Sequence, residues 1–375
     1  MSSSLRIVIS GYYGFSNIGD EAILLSLHQA LRQELPEHTE LIVLSADPEK
    51  TKSQHGLKAI SRVDFLAIWR ALRGADLLIS GGGSLFQDGT SVRSLFYYLL
   101  ILAIGMFAGC PTMVYAQGIG PLRRSYSRWF TGMVLKHVHL ITVRDNESMK
   151  ELQALGVPLK RVSVTADPVM ALPAQNTDAG IKLLKKIKLH AGGDSSPLIG
   201  ISIRPWEGSE HLLRQLQVVI GRLLTKYQAR VVLIPMHYPG DDAITEQLRQ
   251  RFSPDDRVAV LPQVDHASQL ISLMGCLDLL IGVRLHALVF AAIACTPAVA
   301  ISYDPKVDHF AERMEQMSVG ALERMEAEAL WDAVTTSLTN QEALRKRAAE
   351  LSAGLRREAL RSAELAAALL QERRA

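Results

Sequence analysis

The sequence predicts an α/β protein of two doubly wound domains facing a cleft, followed by an amphipathic C-terminal helix. Three observations predict it. Short apolar β-type runs alternate with helical patterns along the chain, the signature of parallel sheets covered on both faces by helices. At 375 residues the chain exceeds one ordinary core. Glycine-rich or polar sets recur at the predicted carboxyl ends of strands, where ligands bind in such folds.

In the first half the β-type runs are Arg6–Ser10, Leu41–Ser45, Asp76–Ser80, Thr112–Ala116, Leu140–Val143 and Val162–Thr165. Helical patterns cover Asp20–Leu35, Val63–Arg73, Tyr126–Lys136 and Asn146–Leu155. The second half repeats the scheme with strands Leu198–Ile203, Arg230–Ile234, Val258–Leu261, Leu277–Ile281 and Ala298–Ile301, and an apolar helix Leu285–Ala294. The expected division is 1–172, a linker 173–197, 198–340, and a terminal helix 341–375. The linker region is expected from its prolines, a Gly-Gly pair and the basic patch Lys182, Lys185, Lys186, Lys188. From Ser94 to Leu122 no residue is charged. Gly105, Gly109 and Pro111 interrupt this stretch, so it reads as helix, turn and strand, all buried, in preference to a membrane span.

A hydrophobic content of 48%, a charged content of 21% and a formal net charge of +3 are those of a soluble globular protein. They give no support for nucleic-acid binding, and no basic stripe with interleaved aromatics is present. Cys110, Cys276 and Cys295 lie in apolar settings without a CxxC pair. This argues for reduced thiols and against a disulfide framework or a zinc site. Leu5–Ser10 runs straight into a glycine loop, so no signal peptide is expected and the cytoplasm is the expected compartment.

The unit from Cys276 to Ala294 is the most informative. A buried strand and an apolar helix flank Gly282, Arg284 and His286. Folding needs neither polar residue, whereas an anion site uses both: a helix start offers free N–H groups and a positive dipole end. Arg284 adds a planar fork for carboxylate or phosphate, and His286 a proton carrier. The first strand ends in a glycine loop, Gly11 to Gly19, with Asn17, Asp20 and Glu21 at the next helix start. That spacing is neither GxGxxG nor a P-loop; the carboxylates suit gripping sugar hydroxyls. Gly81-Gly82-Gly83-Ser84, leading to Gln87, reads as a ligand-facing loop, since successive glycines are costly unless backbone approaches something closely. Arg144, Arg204, Asp241 and Lys306 follow other strands.

The ordered stretches GYYGFSNIGDEAIL, GGGSLFQD, AQGIGP, VRDNES, ISIRPW, GVRLHA and SYDPKV resemble the polysaccharide pyruvyl transferase family, most closely its CsaB-type members. The resemblance spans most of residues 5 to 320. It implies two Rossmann-like domains in the manner of B-type glycosyltransferases, with phosphoenolpyruvate as donor and a saccharide, in this reading lipid-linked, as acceptor. The implied product is a cyclic pyruvate ketal, with phosphate released. The family's donor positions map onto Arg144, Arg284, Leu285 (through its backbone), His286 and Lys306, to which Arg204 is added from its place at a strand end.

His286 is the expected general acid, with Asp20, Glu21 or Asp241 activating the hydroxyls. Asn17, Asp20, Glu21, Gly82, Gly83, Ser84 and Gln87 are the expected acceptor grip. No cofactor or metal is expected, phosphoenolpyruvate being a substrate. A B-type glycosyltransferase or sugar-nucleotide epimerase is the alternative activity, and a non-catalytic saccharide-binding module the alternative class. Weak, salt-reversible contact with the inner face of the membrane is expected through Glu342–Arg374 and Lys182–Lys188.

Overall fold

The computed structural model describes residues 5–189 and 196–373. They form two compact units: the first holds residues up to 172 together with the chain from 355 onward, the second residues 173–354.

The first unit contains, in order, β1 (Arg6–Ser10), α1 (Ile18–Glu34), β2 (Glu40–Ser45), α2 (Pro48–His55), β3 (Lys58–Ser61), α3 (Phe65–Leu72), β4 (Leu77–Ser80), β5 (Gly83–Phe86), α4 (Val92–Phe107), β6 (Thr112–Ile119), α5 (Ser125–Leu135), β7 (Leu140–Val143), α6 (Asn146–Ala154) and β8 (Val162–Val164). Helix starts follow local chemistry: the side chains of Asn17, Asp47, Asp64, Ser91 and Asp145 each accept a backbone N–H of the turn they open. Every strand pairing is parallel, in the order β3-β2-β1-β4-β6-β7-β8 with β5 beside β6. The chain runs outward from β1 to β3, then restarts at β4 and runs the other way. The gap between the carboxyl ends of β1 and β4 is therefore a topological switch point.

Three expectations change here. The glycine loop after β4 leads into a further strand: Gly83 pairs with Gln117 and Phe86 with Ile119. Strand β6 runs three residues beyond Ala116, through a bulge marked by φ +48° at that residue. The Ala116 N–H is accepted by the Thr142 hydroxyl at 2.7 Å. The charge-free stretch does form helix, turn and strand, but not all buried: Leu100 is 46% and Phe107 87% exposed.

The second unit begins with α7 (Asp178–Lys186), inside the segment expected to be a linker. Its Gly180 N–H donates to Ser272 Oγ at 2.8 Å, docking it on the helix Ala267–Gly275. Then follow β9 (Leu198–Ser202), α8 (Ser209–Lys226), β10 (Arg230–Leu233), α9 (Asp241–Gln250), β11 (Val258–Val260), α10 (Ala267–Gly275), β12 (Leu279–Gly282), α11 (Leu285–Ile293), β13 (Ala298–Ser302), α12 (Pro305–Arg313), β14 (Met317–Ala321) and α13 (Ala327–Thr339). The sheet order is β11-β10-β9-β12-β13-β14, all parallel, with its switch point between β9 and β12. Isoleucine, leucine and valine of β9, β10, β12 and β13 are almost wholly buried against α8 and α13.

Helix α14 (Gln341–Glu372) belongs to the second unit up to Gly354 and to the first beyond it. Leu355, Ala359, Ala363, Ala366, Ala367 and Leu370 are buried. Ser362 Oγ lies 3.0 Å from Thr142 Oγ1 and 3.1 Å from Thr165 Oγ1. The apolar stripe of this segment is thus packed on the first sheet, small alanines allowing close approach, and does not face outward. Arg374 lies outside the described residues.

Candidate active site

In the second unit, polar groups gather at the carboxyl ends of β9, β10, β12 and β13. Ser202 closes β9 beside Gly282. Its buried hydroxyl has no hydrogen-bond partner among the described residues. Two residues on, the Arg204 guanidinium lies 4.4 Å from the Tyr303 ring centre and 5.7 Å from that of Trp206. Its buried Nε also lacks a partner among the described residues. The Lys306 ammonium approaches the same Tyr303 ring at 5.5 Å and contacts Asp304 Oδ2 at 3.3 Å. Two cations thus share one aromatic ring at the edge of the sheet.

Arg284 stands at the N-cap of α11, where no side chain caps the helix and the first turn holds no acid. Leu285 and His286 supply the first two helical N–H positions, the region of positive dipole. Arg284 is held from α9: its Nε donates to Asp241 Oδ2 at 2.9 Å and its Nη2 to Asp241 Oδ1. Asp241 has no exposed surface and also accepts the N–H groups of Met236 at 3.1 Å and His237 at 3.2 Å. Burial first, then the charges of Asp242 and Asp241, push the nearby Tyr238 hydroxyl above its ordinary pKa.

The first unit gathers a second set around the ends of β1 and β4. The buried hydroxyls of Ser10 and Ser80 lack partners among the described residues, and these two residues are paired in the sheet. Tyr12 and Phe15 stack with ring centres 4.1 Å apart, and Arg62 lies 5.0 Å from the Phe15 ring. The Tyr12 hydroxyl is raised by burial and then by the charge of Asp20. Among the described residues no group of three or more His, Cys, Asp or Glu is placed to hold a metal ion.

The family model for polysaccharide pyruvyl transferase matches residues 17–305. The chain belongs to that family. Amylovoran biosynthesis protein AmsJ of Erwinia amylovora is 23% identical over 247 residues, 63% of this chain and 58% of that relative, so the match spans less than two thirds of the relative's length. HepE of Anabaena in complex with UDP-glucose has TM-score 0.67 at 13% identity, covering 97% of this chain and 98% of that one. A UDP-N-acetylglucosamine 2-epimerase structure from Listeria monocytogenes, described as putative, has TM-score 0.66 at 13% identity, covering 92% and 91%. At such identity these structures share the fold alone: two parallel-sheet Rossmann-like domains, as in B-type glycosyltransferases.

Within this member of the family the expected donor residues divide between the units. Arg204, Arg284, Leu285, His286 and Lys306 gather in the second. Arg144 belongs to the first, only 7% exposed, with Nη1 on Asp167 at 3.2 Å, Nη2 on Ser84 Oγ at 3.0 Å and Nε 3.4 Å from Asp145. Its guanidinium lies over Gly118, where a Cβ would come within 2.7 Å of Nη2. Arg144 is therefore the centre of a buried ion-pair network, not a cation projecting at the strand end.

Other expected site residues make contacts within their own unit. Nε and Nη2 of Arg284 are engaged by Asp241. Asp241, buried, accepts four N–H groups and so holds Arg284 in place. Glu21 is 4% exposed and accepts Gly14 N–H at 2.9 Å while contacting His55 Nε2 at 2.9 Å, so it ties the loop to α2.

Asn17 is engaged as the α1 cap, and Ser84 by Arg144. Gln87 closes a turn with Thr90. Gly82 lets Pro168 approach, a Cβ there meeting Pro168 Cγ at 2.5 Å, and Gly83 has φ +102°, the left-handed region where a side chain is strained. Asp20 Oδ1 lies 3.6 Å from where a Gly83 Cβ would be, half-buried at the switch point. Ser10, Ser80, Ser202 and the Tyr12–Phe15 pair were not expected. The serines end apolar runs, and their only sequence signal is a hydroxyl where buried strands usually finish in an apolar residue.

Proposed function

We propose that this protein transfers the enolpyruvyl-derived group of phosphoenolpyruvate onto two hydroxyls of a saccharide, forming a pyruvate ketal and releasing phosphate. The observation that carries this is that Arg204, Lys306, Arg284 and the uncapped start of α11 all lie at one edge of the second sheet. Phosphoenolpyruvate brings a carboxylate and a phosphate, and this set can neutralise both.

In this reading His286 donates a proton to the vinyl C3, which becomes a methyl group. One sugar hydroxyl attacks C2, and a second displaces phosphate to close the ring, each losing its proton. Asp20, the half-buried acid at the first switch point, is assigned to receive one. The Tyr12–Phe15 pair offers a flat apolar surface of the kind sugar rings stack on. The relationship to a protein named for amylovoran biosynthesis supports a polysaccharide-building role. A lipid-linked acceptor at the cytoplasmic face of a membrane belongs to the same proposal.

The test is phosphate release from phosphoenolpyruvate with a panel of lipid-linked and water-soluble saccharides, with the ketal identified by mass. Release dependent on acceptor, lost in Arg204→Ala, supports it; no release with any acceptor counts against it. The fold relatives solved with UDP or UDP-glucose motivate one rival reading, a nucleotide-sugar enzyme. A thermal shift with UDP and none with phosphoenolpyruvate would favour that rival.

A further inference from the structure

We propose that the outer face of α3, α4 and α5 docks this protein on an anionic phospholipid surface. Helix α4 is apolar nearly all round, and in a water-soluble domain its outward stripe would be polar. Instead Leu100 is 46% and Phe107 87% exposed. The neighbouring helices continue the same surface, with Leu66 59% exposed at α3 and Trp129 61% exposed on α5. These residues form one patch. Trp69 meets Phe107 at 6.0 Å between ring centres, and Phe96 meets Phe130 at 5.2 Å and Tyr126 at 6.3 Å. A contiguous exposed apolar patch marks an interaction surface, where scattered single side chains do not.

Charge selects the occupant. Residues 62–73, 91–109 and 121–137 carry eight Arg and Lys and one acid, Asp64, whereas the whole chain is nearly balanced at +3. Arg124 and Arg128 are shared with Asp88 and Glu151; Arg70, Arg73, Arg93, Arg123 and Lys136 are exposed around the aromatics. A recess of about 350 Å³ on α5, lined by Arg128, Trp129, Met133, Lys136 and His137 among others, sets cations beside an apolar wall. That combination fits a lipid phosphate with its acyl chains below. A second copy of the chain would bring like charge against like; an anionic leaflet attracts each exposed cation and takes up the aromatic rings at headgroup depth. No helix among the described residues is long and apolar enough to cross a membrane, so α4 lies on the surface. The inference rests on this face alone and not on the transfer chemistry.

The test is co-sedimentation with vesicles of phosphatidylcholine alone and with about 30% phosphatidylglycerol, at low and high salt. Binding is expected only with the anionic lipid, weakened by salt. The double variants Phe107→Asp/Trp129→Asp and Arg123→Glu/Lys136→Glu should each lower partitioning about tenfold or more. Lys182→Glu/Lys185→Glu on α7 should leave it unchanged. All six positions are exposed, so circular dichroism and phosphate release with a water-soluble acceptor should match the wild type. Vesicle binding unchanged in the patch variants, or abolished by the α7 variant, overturns the proposal. So does wild-type protein that ignores anionic vesicles; a dimer in light scattering that Phe107→Asp disperses would then assign the face to a second copy.

Discussion

Replacing Asp241 by asparagine tests whether this carboxylate holds Arg284 or performs chemistry itself. The amide keeps the shape but loses the charge, and its NH₂ must oppose one of the N–H donors of Met236, His237 or Arg284, now at 3.1, 3.2 and, through Arg284 Nε, 2.9 Å. Removing one member of a buried ion pair costs about 3–5 kcal/mol. The Arg284 side chain is 17% exposed and can turn partly to water, so a cost at or just below the bottom of that range, about 2–3 kcal/mol, is expected. The direct measure is a double-mutant cycle of Asp241→Asn and Arg284→Gln, read by urea unfolding with hydrogen exchange at peptides of the second unit. A coupling energy of about 1.5–3 kcal/mol is expected. In steady-state assays Asp241→Asn should raise KM for phosphoenolpyruvate about tenfold, one such factor being about 1.4 kcal/mol, with kcat changed less. Additivity within about 0.5 kcal/mol refutes the pairing argument. A kcat loss of about 10²-fold or more with unchanged stability would return Asp241 to the role of base.

Other outcomes follow from the same structure. His286→Ala should reduce kcat about 10²–10⁴-fold with a smaller change in KM for phosphoenolpyruvate, and near-normal turnover removes His286 from the proton transfer. Activity should survive EDTA when the acceptor carries no pyrophosphate; loss restored by one particular divalent ion contradicts the metal-free reading. Burial pushes the Cys276 thiol up to about 11 and, with the charge of Asp76 adding, the Cys110 thiol up to about 12. Alkylation should therefore be very slow at neutral pH and rise about tenfold per pH unit; rapid labelling at pH 7 refutes it. His139 accepts the Thr112 N–H at Nδ1, 3.1 Å away, and burial, then Arg373 and Arg161, hold its pKa below the ordinary value. The unfolded chain takes this proton first, so stability falls as pH drops below about 6.5. His139→Gln should flatten that limb of a pH–Tm profile, and an unchanged limb assigns it elsewhere.

The alternation of apolar runs with helical patterns was sufficient for two parallel sheets, because each strand buried on both faces must be apolar throughout. β1, β7 and β12 appear where their sequences predict them, within two residues. The strand-end position of Arg204, Arg284, His286 and Lys306 was legible for the same reason: in a parallel sheet every strand ends on one edge. Short strands at sheet edges were not legible, since β3 and β5 offer four residues each and β5 begins at glycine.

Tertiary structure alone decided which side chains meet. Asp241 reaches Arg284 across 43 residues and Glu21 reaches His55 across 34, contacts that no local pattern announces. Arg144 looks like a projecting cation until Asp167 and Ser84 close on it. Periodicity likewise shows that α4 is apolar and α14 amphipathic, but not what each faces. Alanines of α14 are spent on the first sheet, while Phe107 and Trp129 stand in solvent. Local pattern is set by residues a few positions apart; pairing and exposure depend on what the rest of the chain brings to the same place.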